Sequence, residues 1–106
     1  DSSDNGIELQ IQAAGCTAPR LTPEILKANI AHVEYVKHVS YSGQVLRWCV
    51  MTTQSGFAHT GRPSVSVSIE NDREHIGEQV AYDNAFNDLW PLMGYALKEQ
   101  LHRGEA

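Results

Sequence analysis

The run from Val45 to Thr53 is rich in β-branched and aromatic residues and is followed at once by Gln54-Ser55-Gly56. No other stretch constrains the fold as strongly. Such a run reads as a strand, and a three-residue connection ending in glycine suits a hairpin in which Gly56 takes the left-handed position. Phe57–Thr60 then returns antiparallel, with Met51 opposite His59, Val50 opposite Thr60 and Cys49 opposite Gly61. Side chains alternate along a strand, so Trp48 and Val50 face one way while Cys49, Met51 and Phe57 face the other. Both faces carry apolar groups, and each needs a cover.

The flanking sequence supplies helices. Residues 1–6 are polar and read as a frayed end. Ile7, Ile11 and Ala14 recur at helical spacing before Gly15, predicting a short helix over about 5–14. Thr22, Pro23 and Glu24 form a helix start: a capping hydroxyl, a proline at the first position and an acid at the positive end. Leu26, Ile30 and Val33 continue that row, predicting a second helix that ends before Ser40-Tyr41-Ser42-Gly43.

Downstream, Val65–Ile69 alternates and reads as a third strand with serines outward. Asn71 and Glu74 have capping-box spacing. A helical stretch follows to about Arg103, with a break expected near Leu89–Trp90 because Pro91 removes one backbone bond and crowds the preceding turn. Gly77, Ala81 and Ala85 form a small-residue row, with Ile76, Val80, Phe86, Leu89 and Trp90 on other sides. A helix apolar on several sides is sandwiched, which leaves room for a homo-oligomer. Met93, Leu97 and Leu101 should turn the last helix inward. The expected fold is α+β: N-terminal helices, a two- or three-stranded antiparallel meander at about 45–69, and a broken C-terminal helical pair packed on the sheet.

At 106 residues the chain is sized for a single domain, 1–106. Its formal charge is −5, and its eight basic residues are dispersed rather than clustered. Phosphate recognition needs a basic surface, so direct nucleic-acid binding is disfavoured. No run approaches the ~18 apolar residues of a membrane span, and no signal-peptide pattern is visible. The two cysteines, Cys16 and Cys49, make no disulfide framework, although the pair could still join. A reducing, intracellular setting fits best.

Three blocks carry a family resemblance. The first runs Glu8-x-x-Ile11-Gln12-Ala13-x-Gly15-x-Thr17-Ala18-Pro19-Arg20-x-Thr22-Pro23. The second is Trp48-Cys49-Val50 leading to Gly56-Phe57-x-x-x-Gly61. The third is Ile76-Gly77, Ala81, Asn84-Ala85, then Trp90-Pro91-Leu92-x-Gly94-Tyr95-x-Leu97. Together they resemble a family of small, uncharacterised proteins of tailed bacteriophages and prophages, first noted in phages of enteric bacteria. The resemblance covers roughly residues 8–101 and is most specific in the third block. It departs between Tyr35 and Leu46, and Val65–Ile69 is more strand-like than the family pattern. It implies a phage or prophage gene product acting in the host bacterial cytoplasm, and it implies no reaction, cofactor or ligand.

The candidate chemistry is sparse. His32, His38, His59, His75 and His102 lack metal-ligand spacing, and surface or half-buried histidines are the simpler reading, so no metal is expected. Cys49 and His59 lie near one another on the hairpin and are a nucleophile–base pair only in principle, because a strand cysteine facing a packed helix is more often inert. Phosphate-loop, dinucleotide and nucleophile-elbow glycine motifs are missing from the sequence. Asn84, Trp90 and Tyr95 either tie the helices together or line a small-ligand or peptide pocket. Glu70, Glu74, Glu78 and Asp88 would share one side of a helix, either as a solvated face or as a negative surface for a basic partner. The expected function is a non-enzymatic binding protein, without cofactor, engaging a host or phage protein in takeover or counter-defence. The alternative is a small-molecule or nucleotide-binding domain.

Overall fold

The computed structural model describes residues 20–105. The helix expected over 5–14, the frayed end and Cys16 lie outside them. The described chain runs α1 (Pro23–Ala28), β1 (Ile30–Val39), β2 (Val45–Thr53), β3 (Ala58–Thr60), β4 (Ser64–Ser66) and α2 (Glu74–Arg103). The α+β class holds, with a short helix, an antiparallel sheet and a long helix packed on that sheet.

β2 is the organising strand. It pairs antiparallel with β1 along one edge, and with β3 and then β4 along the other. The hairpin register is the expected one, with Met51 opposite His59 and Val50 opposite Thr60. Gly56 has φ +89°, and the loop closes through Thr53 N–H to the Phe57 carbonyl at 2.8 Å. Alternate β2 residues Val45, Arg47, Cys49, Met51 and Thr53 are buried. Cys49 and Met51 form the core with Ala81 and Ala85 of α2, flanked by Ile30, Val33, Tyr82 and Phe86. Leu46, Trp48, Val50 and Thr52 alternate to the opposite face and are half-buried.

Four local expectations are corrected. The second helix stops at Ala28, where Asn29 caps it by donating its N–H to the Ile25 and Leu26 carbonyls. Thr22 does cap its start, its Oγ1 accepting from Ile25 N–H at 3.2 Å. From Ile30 the chain is a strand, because Val33, Tyr35, Val36 and Val39 gain a long cross-strand partner in β2 that no isolated helix would offer.

The third strand is Ser64–Ser66 rather than Val65–Ile69. It continues the β3 edge after Gly61-Arg62-Pro63, where proline has no N–H to give the ladder. The Asn71–Glu74 capping box does not form. The N-cap is Arg73, without a side-chain cap bond, and the Asn71 N–H is held by Ser68.

The last correction concerns the broken pair: α2 is one helix through Pro91. Proline removes only the bond to the Asn87 carbonyl, and Asn87 is exposed, so water can satisfy it. The helix turns before Pro91 cover the sheet. Those after it meet α1, where Asn29 Nδ2 lies 3.6 Å from Met93 Sδ.

Candidate functional site

Arg47, the third residue of β2, is paired with an acid just ahead of α2. Alternation places Arg47 in phase with Val45, Cys49 and Met51, so its guanidinium is buried beneath α2. A buried charge needs a partner. Asp72 supplies a two-pronged one: Arg47 Nη1 donates to Oδ1, and Nη2 donates to Oδ2 at 2.7 Å. The Ser66 hydroxyl adds a bond to Oδ1 at 3.1 Å.

Arg47, through that hydrogen bond above all, holds the Asp72 carboxyl below its ordinary range, and Ser66 assists. The Asp72 hydrogen bond raises Arg47 in turn, and Glu74 and Glu78 add a further electrostatic pull. Glu70 precedes α2, in the turn after β4. At about 100° per residue, Glu74, Glu78 and Asp88 share the azimuth of the sheet-facing Ala81 and Ala85. Glu70, Glu74 and Asp88 are nevertheless exposed and Glu78 is half-buried, so three of the four acids lie on α2 and the fourth just ahead of it, with Glu74 and Glu78 near enough to Arg47 to be felt there.

The structure also separates Asn84, Trp90 and Tyr95. Asn84 Nδ2 donates to the Arg62 carbonyl at 3.1 Å, tying α2 to the β3–β4 connection. Tyr95 is 70% exposed further along the helix. Trp90 is half-buried and lines a different feature, a cleft of about 470 Å³ between α1 and α2.

That cleft is built on a row that helical spacing makes legible: Tyr82, Phe86 and Trp90 recur every four residues on one side of α2. Tyr82 and Phe86 stack with ring centroids 6.1 Å apart, and Phe86 meets Trp90 edge-on at 6.5 Å. Gln79, Asp83 and Asn87, one step round the helix, form a polar rim, with Gln79 Nε2 donating to Asp83 at 3.0 Å. Pro23 and Lys27 of α1 close the other side. Burial, with Cys49 and Asp83 nearby, pushes the Tyr82 hydroxyl up from its ordinary range. Only Trp90 of these residues was singled out by the sequence. Lys27 and Pro23 were missed because nothing local places α1 against residues some sixty positions away.

Cys49 and His59 are not brought together as a dyad. His59 Nε2 donates to the Ala85 carbonyl at 2.9 Å, and its Nδ1 is buried without a partner among the described residues. Burial pushes the Cys49 thiol up to about 11. A thiol with a raised value stabilises the fold fully below its ordinary 9.0, and that contribution is lost as the pH climbs toward 11. In a Cys16→Ser variant, Cys49 should resist a thiol reagent at neutral pH and react fully in denaturant. Rapid labelling of the folded protein would contradict this burial. Among the described residues no three metal-capable side chains converge, and no helix is long and apolar enough to cross a membrane.

The fold is thus a small α+β scaffold with an aromatic cleft between its two helices and an Arg47–Asp72 pair beneath the longer one. The family is shown by sequence: residues 21–101 match the model of the phage protein (N4 Gp49/phage Sf6 gene 66) family, and the chain belongs to it. The match includes the second and third blocks; of the first it includes only Thr22 and Pro23. No curated protein and no solved structure matches the chain.

Proposed function

We propose that this phage-family protein is a non-enzymatic binding protein that engages a bacterial or phage protein in the host cytoplasm, in takeover or counter-defence. The observation that carries the reading is the Tyr82–Phe86–Trp90 row opening into the α1–α2 cleft. Aromatic rings at a contact give large apolar area at little entropic cost. The rim carries both signs, Lys27 and Asp83, which suits a polypeptide segment with polar groups of its own. The overall charge of −5 and dispersed basic residues argue against nucleic acid as the partner.

Asn87 is exposed on the rim, so Asn87→Arg fills the cleft mouth without disturbing the core. A protein retained by the wild-type chain should bind this variant at least about tenfold more weakly, a change of ~1.4 kcal/mol. Val67→Ser, at an exposed position away from the cleft, should bind as wild type. Equal retention by all three would sink the reading.

The second reading, a small-molecule or nucleotide ligand, is favoured by the cleft's size, which falls in the usual range for such sites. Native mass spectrometry separates the two. A bound small molecule lost in Asn87→Arg supports the second, and a ligand-free chain that takes up a protein supports the first.

A further inference from the structure

β1 is ten residues long, and among the described residues it pairs with a neighbour along one edge only. No described residue pairs with its other edge, which offers a row of backbone N–H and C=O groups. Proteins usually blunt such an edge with proline, short length, a bulge or charged side chains; of these β1 has Glu34 and Lys37, which the register below sets against His38 and Tyr35 of a second copy. β1 has no proline or glycine, and its one irregularity lies at the start, between Ile30 and His32. The strand also leaves Tyr35, Val36 and Val39 substantially exposed, with Val36 at 50%.

We propose that β1 pairs antiparallel with β1 of a second copy, about a two-fold axis at Val36, joining the two sheets into one. The register follows from the side chains. Residues opposite one another in an antiparallel pair point to the same face, so a strand paired with itself has its axis at a residue. With the axis at Val36, that residue faces itself, Tyr35 faces Lys37 of the second copy, Glu34 faces His38 and Val33 faces Val39. Every opposed pair is complementary.

The neighbouring registers are worse. An axis at Tyr35 sets Val33 against Lys37 and His32 against His38. An axis at Lys37 sets two lysines face to face, and like charges directly opposite are destabilising.

The pairing also completes rows that β2 begins. Val36 lies beside Trp48, so the face away from α2 gains the row Trp48–Val36–Val36–Trp48 across the joint. On the helix side Val33 lies beside Met51 and Val39 beside Val45, giving Met51–Val33–Val39–Val45. Both α2 helices then lie on one face, separated by three strand spacings, roughly 14 Å. The joint rests on the sheet edge and not on the aromatic cleft, so either can fail alone.

Sedimentation equilibrium of the full chain over a dilution series should report twice the chain mass. Val36→Lys sets like charges together at the axis and should shift the protein to monomer with its circular dichroism unchanged and its Tm no longer dependent on concentration. In a Cys16→Ser background, Val36→Cys should form a disulfide-linked dimer under mild oxidation, because opposed residues at the axis lie within disulfide reach. Val65→Cys, exposed on the opposite side of the sheet, should not. A wild-type monomer at every concentration, a dimer that survives Val36→Lys, or cross-linking no faster at 36 than at 65 would each overturn the joint.

Discussion

Gly61→Ala should be among the most damaging single substitutions in this protein, lowering stability by about 3 kcal/mol and Tm on the order of 15 °C for a domain this size. Gly61 lies where the β3 edge passes directly beneath α2. A Cβ there would sit 2.5 Å from the Ala85 nitrogen, 2.6 Å from the Asn84 carbonyl carbon and 2.7 Å from its oxygen. These are helix backbone atoms, so no side chain can move aside. Either α2 lifts from the sheet or the edge strand is pushed away, and both loosen the packing of Ala81 and Ala85 on Cys49 and Met51. Because the clash is with backbone, Ala85→Gly should not rescue the variant. Denaturant unfolding of Gly61→Ala within about 0.5 kcal/mol of wild type would show that α2 does not approach so closely.

Asp72→Asn should produce the second large loss. The variant keeps the shape of the side chain and removes the charge that balances Arg47, which is 4% exposed. Truncating one partner of a buried, two-pronged pair leaves the other charge uncompensated, whereas replacing both by apolar groups can be nearly neutral. Arg47→Met combined with Asp72→Ala should therefore be more stable than Asp72→Ala alone, a non-additivity that a double-mutant cycle measures directly.

The pair also sets an acid limit. Asp72 titrates lower in the folded chain than its ordinary 3.8. Its contribution is therefore present above that ordinary value and lost as pH falls through the depressed one. Asp72→Asn should flatten the acid limb of stability against pH. An acid limb of unchanged steepness would place the titration elsewhere.

The hairpin was legible because its information is local: alternation in Val45–Thr53, a glycine three residues on, and the register those two fix. The start of α1 was legible for the same reason, since Thr22, Pro23 and Glu24 act within one turn. β1 was not, because Leu26, Ile30 and Val33 fall at helical spacing by coincidence, and only pairing with β2 reveals that the chain turns at Asn29. Pro91 misled in the opposite sense. A proline costs a helix one bond and some crowding, and packing on both sides of it, on the sheet before and on α1 after, keeps the helix whole.

The buried arginine was open to inference: a charge in phase with Val45, Cys49 and Met51 demands a carboxylate, and the densest run of acids in the chain lies around the start of α2. Counting acids by helical azimuth left out Asp72, which stands just ahead of the helix and is the one that meets Arg47. The same spacing rule applied to Tyr82, Phe86 and Trp90 does find one wall of the cleft. Its other wall, from α1, depends on contacts between distant segments.

The central claim is that the α1–α2 cleft is the recognition surface, and site-specific photo-cross-linking in phage-infected bacteria tests it most directly. A photoreactive side chain at Asn87, on the cleft rim, should yield one discrete protein adduct, and the same group at Val67 should yield none. Adducts of equal strength from both positions, or from Val67 alone, would contradict the account and move the partner to another surface.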